Sequence, residues 1–363
     1  MSDFYEIDFL DVESSKSGDA IAMRYVVNGI TTLHITDGGY QDTGIKLSQH
    51  VQKYYDGPQR INYVVVTHND GDHAGGLRHI LENYEVDELW MHRPWLYASE
   101  LVDRFKRYRN VENLAEKLKE SYPNLAALEE IARDRKIKIC EPFQGARIGA
   151  FTVMSPSIER YLDLVVASDK TPDGFEPQQE ARGGLAALLE VSKKQVINLI
   201  AAVWGAEKFS EEETSEENEM SVVQFANFNG EKVLLTGDTG RSGLAEAAAF
   251  APAIGLKLPG INKFQVPHHG SRRNVSTALL DHWLGKRLQS NIDDGKELFT
   301  AVISSAKKDK DHPRNSVVRA MTHRGGYVVT TEGKSVRVSS KSAPPREGWS
   351  KAPKVPYPNT QEG

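Results

Sequence analysis

The chain has 363 residues, 39% apolar and 26% charged, with a formal net charge of −5 at pH 7. That balance allows a sizeable core and excludes global disorder, the net charge excludes a uniformly basic nucleic-acid coat, and no apolar run reaches the roughly 18 residues of a membrane span. A single cysteine, Cys140, excludes a disulfide framework or cysteine-rich zinc module, and the acidic start lacks a signal-peptide pattern, so a cytoplasmic protein is expected.

Strand patterning opens the chain. Residues 7–12 and 20–27 read as a strand pair, 31–36 as a third strand ending at Asp37-Gly38-Gly39, and 44–55 as a helix. The β-branched run 61–66 has buried-strand character. It gives way to a polar, glycine-bearing turn over 68–76, then a helix over 77–83. Between 94 and 135 the period turns helical: Leu96, Leu101, Phe105, Leu114, Leu118, Leu125, Leu128 and Ile131 recur at three- to four-residue steps or multiples of them. This predicts a helical insertion or cap over 94–140, with strands resuming at 136–140 and 150–154. Residues 171–184 read as a loop, and 185–204 as a long helix whose early part could be a strand. The acidic stretch 205–219 reads as a mobile loop. Strands follow at 221–228 and 232–236 around Asn229-Gly230, a hairpin signal, and at 263–266, 299–304, 326–331 and 335–339. Two strand-rich halves with helices between them suit two packed sheets covered by helices. One domain over 1–340 is expected, with a Pro-rich tail over 341–363 lying on the surface or disordered.

Charge is uneven along the chain. Residues 263–337 carry 14 Lys/Arg against 7 Asp/Glu, and 207–219 carry 7 Glu and one Lys. Such asymmetry suits an anionic ligand at the C-terminal third, or equally a solvated surface.

The densest chemistry lies in Thr67-His68-Asn69-Asp70-Gly71-Asp72-His73-Ala74-Gly75-Gly76. Two imidazoles and two carboxylates fall within six residues directly after a buried strand, and such donors suit divalent cations. A solvated turn whose Asp and Asn cap the next helix is the bland alternative. Further on, Leu234-Leu235-Thr236-Gly237-Asp238, Val266-Pro267-His268-His269-Gly270-Ser271 and His312-Pro313 add polar residues after short strands.

These blocks resemble the metallo-β-lactamase-fold hydrolases. The turn matches their His-x-His-x-Asp-His signature with Asp70 in place of the second His, a form similar to the competence-protein (ComEC-type) branch. Phe9-Leu10-Asp11-Val12, Gly18-Asp19-Ala20, Asp37-Gly38-Gly39, Asn218, Ser221 and Ser304-Ser305 resemble other blocks of that branch, in order, over roughly residues 5–340. The resemblance implies a stand-alone four-layer αββα sandwich of the α/β class. It implies that His68 and Asp70 hold one metal, that Asp72, His73 and His268 hold the other, and that Asp238 bridges both. His269 would be an adjacent ligand or stand behind one. No histidine occurs between His92 and His268, so the usual mid-chain ligand is missing. One or two divalent ions are therefore expected, with a lean toward Mn²⁺ or Mg²⁺ over Zn²⁺.

The activity this implies is hydrolysis through a metal-activated hydroxide, with Asp72 and His312 as catalytic residues. Ser271, Arg272, Arg273 and His312 would bind substrate, since arginine grips phosphate in bidentate fashion. Lys307, Lys308, Lys310 and Arg314 could extend that grip. A phosphodiester in nucleic acid or a nucleotide is the expected substrate, with no membrane partner. The alternatives are a small ester, lactone or β-lactam, or a non-catalytic metal-containing binding module. His34, His50, His79, His92, His282 and His323 lack motif context and are expected to be structural.

Overall fold

In the first strand, β1 (Phe4–Phe9), Tyr5, Ile7 and Phe9 alternate with Glu6 and Asp8, yet all six residues are buried. Alternation of this kind puts the apolar set on one face and the acids on the other. A computed structural model describes residues 3–106, 108–171 and 199–363, and in it both faces of β1 are covered. The apolar face meets a second sheet. The acidic face meets Arg24, Arg337 and Arg346, whose guanidinium groups pair with Glu6 and Asp8.

The first sheet runs β15 (Val336–Ser339), β1, β2 (Ala20–Val27), β3 (Ile30–Gly38), β4 (Arg60–Val65), β5 (Glu85–Trp90), β6 (Lys138–Cys140). The second runs β14 (Gly326–Thr330), β13 (Phe299–Ile303), β12 (Lys263–Gln265), β11 (Glu231–Leu235), β10 (Val223–Phe228), β8 (Phe151–Ser155), β7 (Arg147–Ile148). β3 to β6 are parallel, as are β11 to β14, and the remaining pairs are antiparallel. Tyr5, Ile7, Phe9, Ile21 and Met23 interlock with Phe151, Phe228, Leu235, Val302 and Val329 between the sheets. Helices Thr43–Tyr54, Leu77–Asn83, Pro123–Asp134 and Ile158–Ala167 pack on the outer face of the first sheet. Helices Arg241–Phe250, Thr277–Leu284 and Asn315–His323 pack on that of the second. The architecture is therefore the expected αββα sandwich, and the expected strands appear within three residues of their bounds.

Two expectations about its periphery change, and a third, the surface or disordered tail, is narrowed to the surface. The helical stretch after residue 94 is no appendage. Leu101, Phe105, Leu114, Leu118, Tyr122, Leu125 and Leu128 share one core with Val64 and Leu89, and the helix Pro123–Asp134 connects β5 to the parallel strand β6. A parallel pair needs such a crossover, so residues 138–140 belong to the sheet. The stretch 205–219 is not a loose loop. The side chains of Glu207, Glu217 and Glu219 are buried: Arg324 and His323 take Glu207 while Arg160 takes Glu219. The 341–363 segment is tied down by Arg346 and ends in β16 (Thr360–Glu362), which pairs with β9 (Leu199–Ala201). Of the helix expected over 185–204, residues 199–201 are strand. Its earlier part, and all but Thr171 of the loop expected over 171–184, lie outside the described residues.

Candidate metal centre

Loops that leave the carboxyl ends of β1, β3, β4, β11, β12 and β13 gather at one edge of the sandwich. Open α/β sheets bind their ligands at such strand ends. The turn after β4 is fixed by its own residues. Asn69 Oδ1 accepts from the backbone N–H groups of Asn124 and Leu125 at 3.2 and 3.3 Å, capping a helix of the first core. Gly76 lies so close to Gly38 that a Cβ there would meet the Gly38 carbonyl oxygen at 2.0 Å. A glycine is thus required for the turn to reach the end of β3.

The second sheet contributes a strained turn. His268 and His269 both take left-handed backbone conformations, with φ of 48° and 54°. Such conformations are costly for residues with a Cβ and cluster at functional sites. Here they bring both imidazoles to the centre.

Asp19, His73, Asp238 and His269 converge, each offering one ligand atom, with those atoms within 4.8 Å of one another. His73 Nε2 lies 3.3 Å from Asp238 Oδ1, and His269 Nε2 lies 3.7 Å from Asp238 Oδ2 and 3.6 Å from Asp72 Oδ2. All four are buried, whereas Asp72 is 24% exposed and stands on the open side.

Each histidine around this floor has its Nδ1–H occupied by a protein oxygen. That of His73 donates to Asp37 Oδ2 at 2.8 Å, and that of His269 to the Ser304 carbonyl at 2.9 Å. That of His268 donates to Asn274 Oδ1 at 3.0 Å, and that of His68 to Thr67 Oγ1 at 3.0 Å. Thr67 in turn donates its N–H and O–H to Asp37. This fixes the rings so that Nε2 faces inward as the ligating nitrogen, the arrangement of metal-bound histidine. Nε2 of His68, His73 and His269, with Oδ1 of Asp19 and Asp238, have no hydrogen-bond partner despite burial. Buried polar atoms without partners are costly. Four of the five belong to Asp19, His73, Asp238 and His269, whose ligating atoms converge, which fits a divalent cation.

The electrostatics agree. Burial opposes charge on His269, but Asp238, Asp72 and Asp19 outweigh it and lift its pKa to about 9. Burial likewise opposes charge on His73, and Asp238, Asp37 and Asp72 raise it well above its ordinary value. Burial resists ionisation of Asp238, yet His73, His269 and His268 hold it well below the usual carboxylate range. Burial wins at Asp19, which is raised, and at His268, which is pushed down to about 4. The carboxylates thus retain positive charge at the centre, which a divalent cation supplies more compactly than protons.

The expected ligand set is rearranged in detail. His269, not His268, stands with Asp72 and His73. His268 approaches Asp238 Oδ2 at 3.7 Å from the rim. Asp19, quoted only as part of an opening strand, is a member of the floor, and Asp37, quoted only as a turn, orients His73. Asp70 faces His68 Nε2 across 3.8 Å but gives its other oxygen to Lys170 Nζ at 2.8 Å.

His312 stacks on His268 with ring centroids 5.4 Å apart. Its Nδ1 lies 3.3 Å from Asp309 Oδ2, which Ser17 holds through N–H and O–H at 3.0 and 2.7 Å. Ser271 is buried beside the histidine pair, and Arg272 is half-buried. Arg273 is exposed and paired with Glu212, and Arg314 pairs with Asp311. Lys307, Lys308 and Lys310 are exposed. Part of the basic excess is therefore met within the chain by the acidic stretch. His34, His50, His92 and His323 are buried away from the floor, against aromatic rings, Asp8 or Glu207.

Residues 35–132, roughly a quarter of the chain, match the family model of the metallo-beta-lactamase superfamily. That span includes His68 to His73, while Asp238, His268 and His269 lie beyond it. No curated protein matches the chain. Among solved structures, metallo-beta-lactamase SMB-1 bound to 2-mercaptoethanesulfonate is similar at 8% identity, with 70% of this chain and 78% of that chain covered and a TM-score of 0.31. A metallo beta lactamase from Hirschia baltica is similar at 10% identity, with 69% and 82% covered and a TM-score of 0.27. Among the described residues no helix is long and apolar enough to cross a membrane.

Proposed function

We propose that the protein is a metal-dependent hydrolase of the metallo-β-lactamase superfamily, with a signature that resembles the competence-protein branch, and that it cleaves phosphodiesters in nucleic acid or nucleotides. The observation that carries the reading is the buried floor of Asp19, His73, Asp238 and His269 with its partnerless ligating atoms. Those four residues would hold a divalent ion, and half of the donors are carboxylates, which favours Mn²⁺ or Mg²⁺. When bound, such an ion polarises a phosphoryl oxygen and lowers the pKa of water.

The chain's own residues supply the rest. Asp72, on the open side, stays ionised and orients the attacking water, whose proton leaves to solvent. His312, braced by Asp309 on one nitrogen, presents the other to the leaving oxygen and donates a proton there. Ser271 and Arg272 meet the non-bridging oxygens. An anionic substrate competes with Glu212 for Arg273, which grips it as a planar fork. The lone cysteine suits a reducing compartment, so the reading places the activity in the cytosol.

The test offers metal-loaded protein three substrates: labelled single-stranded DNA, a phosphodiester chromophore and a β-lactam chromophore. The reading predicts cleavage of the first, the second or both, abolished by Asp72→Ala. Cleavage of the β-lactam alone would replace the phosphodiester with a small cyclic amide. Metal binding without turnover of any of them would indicate a binding module.

A further inference from the structure

Asp70 sits where the superfamily signature has an imidazole, and the exchange adds a negative charge at the rim. That charge has a partner. Lys170 Nζ lies 2.8 Å from Asp70 Oδ1, delivered by the turn after the helix Ile158–Ala167. The turn is tied down: the Lys170 N–H donates to Ser168 Oγ at 3.1 Å, Ser168 donates to buried Glu217, and Thr171 Oγ1 donates to the Val165 and Ser168 carbonyls, each at 2.7 Å. We propose that Lys170 supplies at Asp70 the positive charge that a second cation would otherwise supply. The centre then holds one divalent ion, with an ammonium group beside it to receive a phosphate oxygen. The inference rests on the metal reading above and refines it.

Three further observations support it. The convergent ligand cluster among the described residues comprises Asp19, His73, Asp238 and His269, and neither His68 nor Asp70 belongs to it. Among the described residues the His68 ring meets no imidazole but that of His73, with centroids 4.3 Å apart, and His73 already serves the floor. Behind the ring, on its Nδ1 side, Ser221 Oγ lies 3.3 Å from His68 Nδ1 and accepts from the Asp238 N–H at 3.2 Å. Finally, an imidazole at position 70 could offer a lysine no ion pair, whereas a carboxylate can. Asp70 and Lys170 therefore form a matched pair that disfavours a neighbouring dication by like charge. An ammonium has three donors. One is spent on Asp70, and the Lys170 side chain is 44% exposed, so an ammonium donor can turn to a substrate oxygen.

The test is metal stoichiometry. Protein stripped with a chelator is titrated with Mn²⁺, and the bound ion is examined by electron paramagnetic resonance. The wild type should take up one equivalent and show an uncoupled six-line spectrum. Lys170→Met should take up a second equivalent and show a spin-coupled pair, while Lys170→Arg, which keeps the charge, should stay at one. Two equivalents in the wild type would overturn the inference and leave the metal reading intact, and so would a single equivalent in Lys170→Met. No bound Mn²⁺ in any variant would overturn both.

Discussion

Asp37 shows how much of the centre depends on a residue that need not touch an ion. It takes the Nδ1–H of His73 and the N–H and O–H of Thr67, and Thr67 in turn holds His68. Removing such a support costs metal affinity by about 10–100-fold. Asp37→Ala should therefore weaken Mn²⁺ binding by about that factor, measured by competition with a chelating dye, while the overall fold persists. Unchanged affinity would mean that Asp37 does not set the orientation of His73. The dense turn around His68–His73 was legible in the sequence because its donors are neighbours in the chain. Asp19 and Lys170 were not legible as ligand and rim charge. The roles proposed for them arise only when the loop between β1 and β2 and the turn after Ile158–Ala167 fold against that turn, and a lone carboxylate or lysine in a loop carries no local mark of such a partner.

At the scale of elements, strands were read closely because β-branched and alternating runs report burial directly, as in β2, whose bounds match the expectation. The acidic stretch was misread because composition reports charge and not its partners. The Glu207 side chain is 1% exposed, held by the side chains of His323 and Arg324, which are themselves fully buried. Breaking a buried pair by removing one member costs about 3–5 kcal/mol, and Asp281 still serves Arg324, so the low end applies. Glu207→Ala should lower the unfolding free energy by about 3 kcal/mol in urea denaturation. A loss below about 0.5 kcal/mol would return the stretch to the class of solvated surface loops. The Pro-rich segment was left between surface and disorder for a related reason: the acids on β1 that receive Arg346 and hold the segment on the surface are over 300 residues away in the chain.

For the whole molecule, the centre links stability to pH and to metal. Without metal, the pKa of His269 is raised to about 9, and that of His73 is raised too. Groups of this kind stabilise the folded state fully below their unfolded pKa of about 6.5, and the contribution is lost as pH climbs through the folded value. Asp72 and Asp238 are shifted down, so they remain ionised across this window and add no slope. The metal-free protein should thus lose several degrees of melting temperature between pH 6.5 and 9. Because an ion must displace those protons, the rise in melting temperature on adding Mn²⁺ should grow over the same interval. A metal-free melting temperature that stays flat would show that the imidazoles do not carry the charge described.

The central claim is that remote parts of the chain assemble one cation site, and anomalous diffraction from a Mn²⁺-loaded crystal tests it most directly. The predicted result is a peak within coordination distance of Asp19, His73, Asp238 and His269 together. A peak elsewhere, or none at that floor in protein that has bound the metal, would contradict the account.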